Sequence, residues 1–413
     1  MSEITRLLTK TKFKYLWMSQ IFSQVAINMM NFLILIRLFN HTGSTLAVSF
    51  LWISYALPTI LVGPIASAMV DIVDKRKVLI LTNLGQFLVI AFSSFIVRNN
   101  VFLLYGVTFF YSLLNQFYGP SESAMVPKLV DKSQLPNANS LFFITQQLSL
   151  ILGFAVAGII NGLFGFNISL MLCGSLLFFA TISVLFIPDE KNKDVGRESF
   201  ENSFIQFFKT LFEGYSYLKN KKFIYIPFFL LLGIQACFAV VIVCVPIIAR
   251  DILKVDTNLS GVLLVVPAGI GAVIGAAYFP KFLKIGWRKR NLIEIGSMTL
   301  GILFTVYSLF LGYLPPMIRI IVSFIMIMFV GVFFIALIIP TQTFLQEVTP
   351  EGLRGRIFGN MWFLITITQV LPIVFSGALV ELFGVRLLLI IIASYCWAIF
   401  YFSKKSDIKL LIS

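Results

Sequence analysis

Long apolar runs alternate with short polar segments from one end of the chain to the other. A helix needs about 20 mainly apolar residues to cross the hydrocarbon core of a bilayer, so each long run predicts a membrane-spanning helix. Twelve spans are predicted, at residues 13–39, 45–70, 78–97, 101–125, 136–163, 167–187, 223–249, 257–280, 291–312, 316–345, 357–380 and 384–402. The pattern therefore predicts an all-α, polytopic membrane protein with twelve transmembrane helices.

The amino-acid composition agrees with this pattern. Hydrophobic residues make up 59% of the 413 residues and charged residues only 12%, whereas a soluble domain carries about 25% charged residues. The net charge of +14 would suit nucleic acid if the cations shared one soluble face, but they sit in short clusters between apolar runs. The composition excludes an ordinary soluble protein, and we expect no nucleic-acid partner.

The cysteines and the single histidine indicate neither a metal site nor a disulfide framework. The four cysteines lie inside apolar runs and lack the spacing of metal ligands. His41 falls in a loop, and the sequence offers no Ser/His/Asp, metal-binding or phosphate-binding cluster to accompany it. We therefore expect no metal, no cofactor and no enzymatic activity.

Lysine and arginine collect in alternate loops. With the N-terminus on the inside, the two tails and every second loop hold all but six of the 32 cations. The six on the opposite side are Arg37, Arg98, Arg250, Lys254, Arg319 and Arg386. Because cytoplasmic loops are enriched in Lys and Arg, the distribution predicts that both termini are cytoplasmic and that the number of spans is even.

The longest polar stretch, residues 188–222, divides the chain near its middle. Large apolar residues from Phe200 to Leu218 recur within it at helical spacing, with charged residues on the other side. This pattern predicts an amphipathic helix lying on the cytoplasmic leaflet, although a helix that docks a partner protein has the same signature. The linker separates two predicted domains, 1–187 and 223–413, of six helices each.

Two pairs of similar short segments indicate an internal duplication. Pro120–Val130 (PSESAMVPKLV) and Pro340–Pro350 (PTQTFLQEVTP) end spans four and ten and lie 220 positions apart. Lys75–Lys77 return as Arg288–Arg290, displaced by 213 positions. The nearly equal offsets predict two pseudo-symmetric six-helix bundles, and duplicated bundles of this kind are typical of secondary transporters.

The turn after span two carries a family resemblance. It reads Ser67-Ala-Met-Val-Asp71-Ile72-Val73-Asp74-Lys75-Arg76-Lys77. This stretch resembles the G-x-x-x-D-R-x-G-R-K/R signature of the major facilitator superfamily, with departures at the first Gly, the first Arg and the second Gly. The resemblance implies a latch that holds the cytoplasmic side shut, formed by Asp71, Asp74, Lys75, Arg76 and Lys77. The alternative is simple anchoring of the cations at the inner membrane face.

Other segments resemble the bacterial macrolide-efflux and enterobactin-exporter branch of that superfamily. They are Thr42–Ser44, Pro120–Val130, Leu135–Asn139 and Gly352–Gly359. The branch implies a secondary active transporter in the bacterial cytoplasmic membrane that exports amphipathic, macrolide-type small molecules by alternating access, driven by the proton gradient. We expect it to function as a monomer surrounded by membrane lipid. A siderophore or a lipid-like metabolite is the alternative cargo, and a non-transporting membrane sensor or a membrane enzyme would be a different class of protein.

Amide side chains mark the predicted substrate cavity. In span one they recur at steps of four, four and three residues, on one helical face: Gln20, Gln24, Asn28 and Asn31. Amides facing lipid are costly, so this face should look into the bundle or into a wet cavity. In the superfamily, spans one, four, seven and ten line the cavity, which adds Asn115, Gln116 and Gln235. Hydrogen bonding between helices without a ligand is the alternative.

A proton-coupled exporter needs a carboxylate that can bind and release a proton within the membrane. Span one contains none, and the candidates are Glu122 at the inner end of span four and Asp71. Glu122 corresponds to the uncharged Gln342 in the repeat, so its charge is not needed to end the helix. The alternative is a solvated acid or one that pairs within the gate.

Overall fold

The computed structural model describes residues 11–96, 100, 102–131, 134–187, 209, 222–348 and 351–404. Within the helices it leaves out the side chains of residues 71–72, 95–96, 222–226 and 351–363. Over the described residues the chain contains helices and turns but no strand. The predicted all-α fold class is therefore confirmed.

Eleven α-helices follow one another along the described residues. They are α1 Thr11–Thr42, α2 Thr45–Ile72, α3 Lys75–Ile96, α4 Leu103–Leu129, α5 Leu135–Leu185, α6 Lys222–Ile247, α7 Val266–Lys284, α8 Lys289–Leu309, α9 Pro316–Val348, α10 Glu351–Phe383 and α11 Val385–Lys404. A π-helical segment, Ile248–Leu253, follows α6, and a second, Gly261–Val265, precedes α7.

Ten of these helical segments in the described part are long and apolar enough to cross a membrane. Helix α5 contains 51 residues and breaks at Gly165, whose φ of 77° lies outside the helical region, so it covers both predicted spans 136–163 and 167–187. Helix α4 is not among the ten, because polar residues such as Asn115, Gln116 and Glu122 interrupt its apolar run. The count of twelve spans stays a prediction.

The chain divides into two compact units. Unit 1 comprises Met1–His41 and Phe50–Lys209, and unit 2 comprises Thr42–Ser49 and Thr210–Ser413. One boundary, between residues 209 and 210, falls inside the predicted linker 188–222, whereas residues 42–49 of the predicted N-terminal domain are grouped with unit 2. Of the linker, the structure describes residues 209 and 222, so the predicted amphipathic helix lies outside the described residues apart from Lys209. The limits of the predicted domains stay a prediction.

In unit 1, α3 packs against both α4 and α5. At one end of the unit a buried apolar cluster joins Phe13 and Leu16 of α1 to Leu79 of α3 and Met125 of α4. Helices α1 and α5 approach closely at Gly153, where a Cβ atom would lie 2.6 Å from the Cβ atom of Asn28. A small residue at this crossing lets the two backbones pack, as is common in membrane helix pairs.

In unit 2, α7 packs against α9 along a crossing made of glycines. A Cβ atom added at Gly271 of α7 would overlap the carbonyl oxygen of Met328, and one added at Gly331 of α9 would overlap the carbonyl oxygen of Ala268. The two backbones therefore touch directly, a geometry that glycine makes possible. Helix α8 packs against α9 and α11 in the same unit.

Large apolar side chains cover the outer surface of the helices. On α5 alone, Leu148, Leu152, Ile159 and Leu163 are exposed. Water does not tolerate so much contiguous apolar surface on a monomer, whereas the hydrocarbon of a bilayer does. Together with the ten long apolar helices, this surface identifies a multi-pass membrane protein.

Candidate functional site

Five polar side chains meet in the interior of unit 1, and we call them the polar cluster: Ser19 and Ser23 of α1, Asn83 of α3, and Tyr118 and Glu122 of α4. The Tyr118 hydroxyl donates to Glu122 Oε1 at 2.6 Å. Ser23 Oγ lies 3.3 Å from the Tyr118 hydroxyl and 3.2 Å from Asn83 Oδ1. Asn83 Nδ2 donates to Ser19 Oγ at 3.2 Å. The cluster forms a continuous hydrogen-bonded chain across three helices.

Glu122 is the acidic member of the polar cluster and is only 7% exposed. Among the described residues, the Glu122 carboxyl group accepts a hydrogen bond from the Tyr118 hydroxyl and forms no ion pair with a cation. Acidic side chains placed in this way inside membrane helices commonly mark ion or proton pathways. Chemically, the group can accept from Tyr118 as a carboxylate and can donate a hydrogen bond once protonated.

Helical spacing brings these side chains together. Tyr118 and Glu122 are four residues apart on α4, and Ser19 and Ser23 are four residues apart on α1, so each pair lies on one helical face. Glu122 was predicted from the sequence, but the other four members were not. Asn83 is an amide inside a predicted span, and that unusual position was the signal that could have identified it.

Gln86 extends the polar interior by one helical turn of α3. It is buried, and neither its amide oxygen nor its amide nitrogen hydrogen-bonds to another described residue. The buried Oε1 atom of Gln20 likewise has no partner among the described residues. Because a buried polar group without a partner is costly, these atoms favour the presence of water inside this part of unit 1.

The four amides predicted on α1 occupy two environments. Gln20 and Asn31 are buried, and Gln24 and Asn28 are half-buried. Gln20 Nε2 donates to the backbone oxygen of Phe142 at 3.2 Å, and Asn28 Nδ2 donates to the backbone oxygen of Gln24 at 2.7 Å. Gln20 thus makes the kind of helix-to-helix hydrogen bond that was the alternative to a ligand contact. The cavity role of all four residues stays a prediction.

The remaining amides predicted for the cavity are half-buried. Asn115 Nδ2 lies 3.4 Å from the Tyr55 hydroxyl, and Gln116 Nε2 donates to Thr59 Oγ1 at 3.0 Å, so both contact α2 within unit 1. Gln235 lies on α6 in unit 2, where its backbone oxygen accepts from Gln369 Nε2 at 3.2 Å. Their predicted role in substrate binding is not tested by these contacts.

The predicted latch lies at the turn between α2 and α3. The side chain of Asp71 lies outside the described residues. Asp74 Oδ1 accepts from the backbone N–H groups of Arg76 at 3.0 Å and Lys77 at 3.3 Å, so Asp74 caps the N-terminus of α3. Arg76 Nη2 donates to the backbone oxygen of Leu185 at 2.9 Å, while Lys75 begins α3. The turn is thus tied to the end of α5, and its role as a latch stays a prediction.

The described residues contain no group of three His, Cys, Asp or Glu side chains that could hold a metal ion. Each of the four cysteines is a free thiol. The polar cluster itself offers hydroxyl, amide and carboxyl groups.

Sequence comparisons show which known proteins this chain resembles. The family model described as Major Facilitator Superfamily matches residues 16–371. Macrolide efflux protein A of Streptococcus pyogenes is 25% identical over 398 residues, which cover 91% of each chain. The uncharacterised MFS-type transporter YfiS of Bacillus subtilis (strain 168) is 24% identical over 84% of this chain and 82% of its own.

Solved structures show the same fold. A crystal structure of a mutant nucleoside transporter NupG superposes with a TM-score of 0.73 at 13% identity, covering 96% of this chain and all of that one (100%). A mutant peptide transporter POT in complex with alafosfalin superposes with a TM-score of 0.70 at 13% identity, covering 99% of this chain and 98% of that one. At such identities the likeness concerns the fold alone.

Proposed function

The chain belongs to the Major Facilitator Superfamily and is a transporter, and from this premise we propose that it exports amphipathic small molecules in exchange for protons. Export is supported by the macrolide efflux protein, which matches 91% of this chain at 25% identity. The transporter works by alternating access in the bacterial cytoplasmic membrane, as a monomer with both termini inside. The observation that carries proton coupling is the buried Glu122 carboxyl group, hydrogen-bonded by Tyr118.

Glu122 serves as the proton carrier. A single protonation changes its hydrogen bonding, because the carboxylate only accepts from Tyr118 whereas the acid can donate. Asn83 and the serines of the polar cluster follow Tyr118 in the hydrogen-bonded chain, so a proton bound at Glu122 alters the contacts between α1, α3 and α4. Water hydrogen-bonded to the unpartnered amide of Gln86 would supply a route by which the proton enters or leaves.

The substrate is neutral or cationic and mainly apolar. The half-buried amides Gln24, Asn28, Asn115 and Gln116 supply donors and acceptors without net charge. Arg37 of α1 is exposed, and its guanidinium lies over the Phe166 ring, 5.3 Å from the ring centroid. A strongly anionic siderophore would require cations among the binding groups, so a siderophore is disfavoured, whereas a lipid-like metabolite remains the second candidate cargo.

A growth-inhibition panel tests the export of drugs. An efflux-deficient bacterial host expressing the wild-type chain should tolerate at least one amphipathic compound, macrolides included, better than the same host with an empty vector. The matched Glu122→Gln variant should restore sensitivity to that compound. Equal sensitivity of wild type and empty vector across the panel would remove drug export and leave the lipid-like cargo.

Replacing the hydroxyl donor to Glu122 should slow transport without unfolding the protein. Tyr118→Phe keeps the ring in its buried position but deletes the bond at 2.6 Å from Glu122. A hydrogen bond to a charged group is worth about 1.5–3 kcal/mol, so we expect the rate of proton-driven export to fall by about tenfold or more. The rate is measured in proteoliposomes with an imposed pH gradient.

Tyr105→Phe is the matched control, since Tyr105 lies on the same helix but outside the polar cluster. This variant should export at the wild-type rate. An unchanged rate in Tyr118→Phe would show that the hydroxyl has no part in coupling.

A further inference from the structure

A cavity of about 590 Å³ opens at the turn between α7 and α8, within unit 2. It is lined by Gly286, Trp287, Arg288, Asn291, Glu294 and Ile295. None of these residues belongs to the polar cluster or to the amides predicted for the substrate cavity. Its size falls in the usual range for small-ligand sites, about 300–1,000 Å³.

The turn that forms this cavity is rigidly built. Gly286 follows the C-cap residue of α7, Ile285, and adopts a φ of 98°. The N–H of Gly286 donates to the carbonyl of Leu283 at 3.2 Å, and the N–H of Trp287 donates to the carbonyl of Phe282 at 3.0 Å. This is a Schellman motif, and the packing of Trp287 against Phe282, with ring centroids 5.1 Å apart, provides its usual apolar contact. The motif fixes Trp287 and Arg288 at the cavity wall.

Cations outnumber carboxylates at the turn that forms the cavity. Glu294, which lines it, is paired with Arg290 at 2.7 Å, and Lys289 is paired with Glu347. In the described part of the chain no carboxylate pairs with Arg288, which is exposed. Lys281 and Lys284 add two further exposed cations at the end of α7. The Arg288 guanidinium is therefore available to bind an anionic group, and the Asn291 side chain lines the same cavity.

An apolar stripe leads away from the cavity along α8. Starting at the cavity wall, it consists of Ile295, Met298, Ile302, Val306 and Leu309, each between 38% and 44% exposed. Their spacing of three or four residues places them on one face of the helix. One continuous surface can therefore contact an anionic head group at the cavity and an apolar tail along α8.

We propose that this surface binds an anionic phospholipid, with the phosphodiester at Arg288 and Asn291 and an acyl chain along the α8 stripe. Basic pockets at the ends of transmembrane helices suit such head groups. Trp287 and the 76%-exposed Ile285 lie at the same level, where an indole and apolar groups meet the membrane interface. The apolar stripe favours a lipid over free phosphate, because free phosphate has no acyl chain that could contact the stripe.

Lipid retention by the purified full-length protein tests the proposal. The probes are phosphatidylglycerol and phosphatidylcholine with identical acyl chains, added to detergent micelles and counted on the protein by native mass spectrometry. Wild type should retain more phosphatidylglycerol than phosphatidylcholine. Arg288→Gln should lower the retention of phosphatidylglycerol by about fivefold, the effect expected for one interfacial cation, and Arg288→Lys should keep most of it.

Lys404→Gln removes a cation at the end of α11, outside the cavity, and should bind as wild type does. Met298→Gln, within the stripe, should reduce retention independently of the charge, so the proposal remains testable if Arg288→Gln does not yield monodisperse protein. Equal retention of the two lipids by wild type, or unchanged retention in both Arg288→Gln and Met298→Gln, would overturn the proposal. Displacement of phosphatidylglycerol by excess inorganic phosphate would also overturn it, because it would identify a site for a soluble anion.

Discussion

Glu122→Gln is expected to abolish proton-driven export while leaving substrate exchange intact. Glutamine matches glutamate in size, and its amide oxygen can still accept from the Tyr118 hydroxyl 2.6 Å away, but it cannot bind and release a proton. Loss of a positioned proton-transfer group costs about 100-fold or more in rate. In proteoliposomes, uphill movement of the exported compound under a pH gradient should fall by that factor, whereas counterflow without a gradient should persist.

The control for this variant is Glu347→Gln. It removes a carboxylate near the end of α9 that pairs with Lys289 at the surface, so it should leave gradient-driven export unchanged. Wild-type uphill transport by Glu122→Gln would exclude Glu122 as the carrier. Parallel loss of counterflow and gradient-driven transport would instead assign Glu122 to binding or to structure.

Gly331→Ala is expected to destabilise the protein although alanine is the better helix former. A Cβ atom at this position would overlap the carbonyl oxygen of Ala268 on α7, which is backbone and cannot rotate away. The helices would have to move apart, and overpacking of this kind costs about 1–3 kcal/mol. The thermal midpoint of the purified protein, followed by tryptophan fluorescence, should fall, and combining the change with Gly271→Ala should lower it further.

The matched control is Gly162→Ala on α5, where nothing lies within 4 Å of an added Cβ atom. There the gain in helix propensity, about 1 kcal/mol, should raise the thermal midpoint or leave it unchanged. If Gly331→Ala behaves like Gly162→Ala, the close contact between α7 and α9 is not a determinant of stability.

Length and apolarity were sufficient to predict most of the fold. The runs that became α1, α2 and α9 are long and interrupted by few charges, so their helical, membrane-spanning character follows from the need to satisfy backbone polar groups in lipid. The chain turns sharply within α5 at Gly165, whose φ is 77°, and this break falls in the gap between the predicted spans 136–163 and 167–187. The exact backbone conformation at the break could not be predicted, because hydropathy does not encode the φ of one residue.

The members of the polar cluster were harder to predict from the sequence than the fold was. Glu122 stands out because acids are rare in membrane helices, and it is indeed buried. Ser19 and Ser23 have no such signal, since serines are common in these helices and usually bond to their own backbone, as Ser23 also does with Ser19. Only the packing of α1 against α3 and α4 distinguishes them, and the sequence does not specify which faces of those helices meet.

Substrate-dependent proton movement in wild-type proteoliposomes tests the central claim most directly. Vesicles containing the purified protein, a trapped pH-sensitive dye and an exported compound identified by the growth panel are diluted into buffer at equal pH without that compound. If Glu122 couples the two fluxes, exit of the compound must acidify the vesicle interior, and Glu122→Gln must show no acidification. Exit of the compound from wild-type vesicles with no change in internal pH would contradict the account.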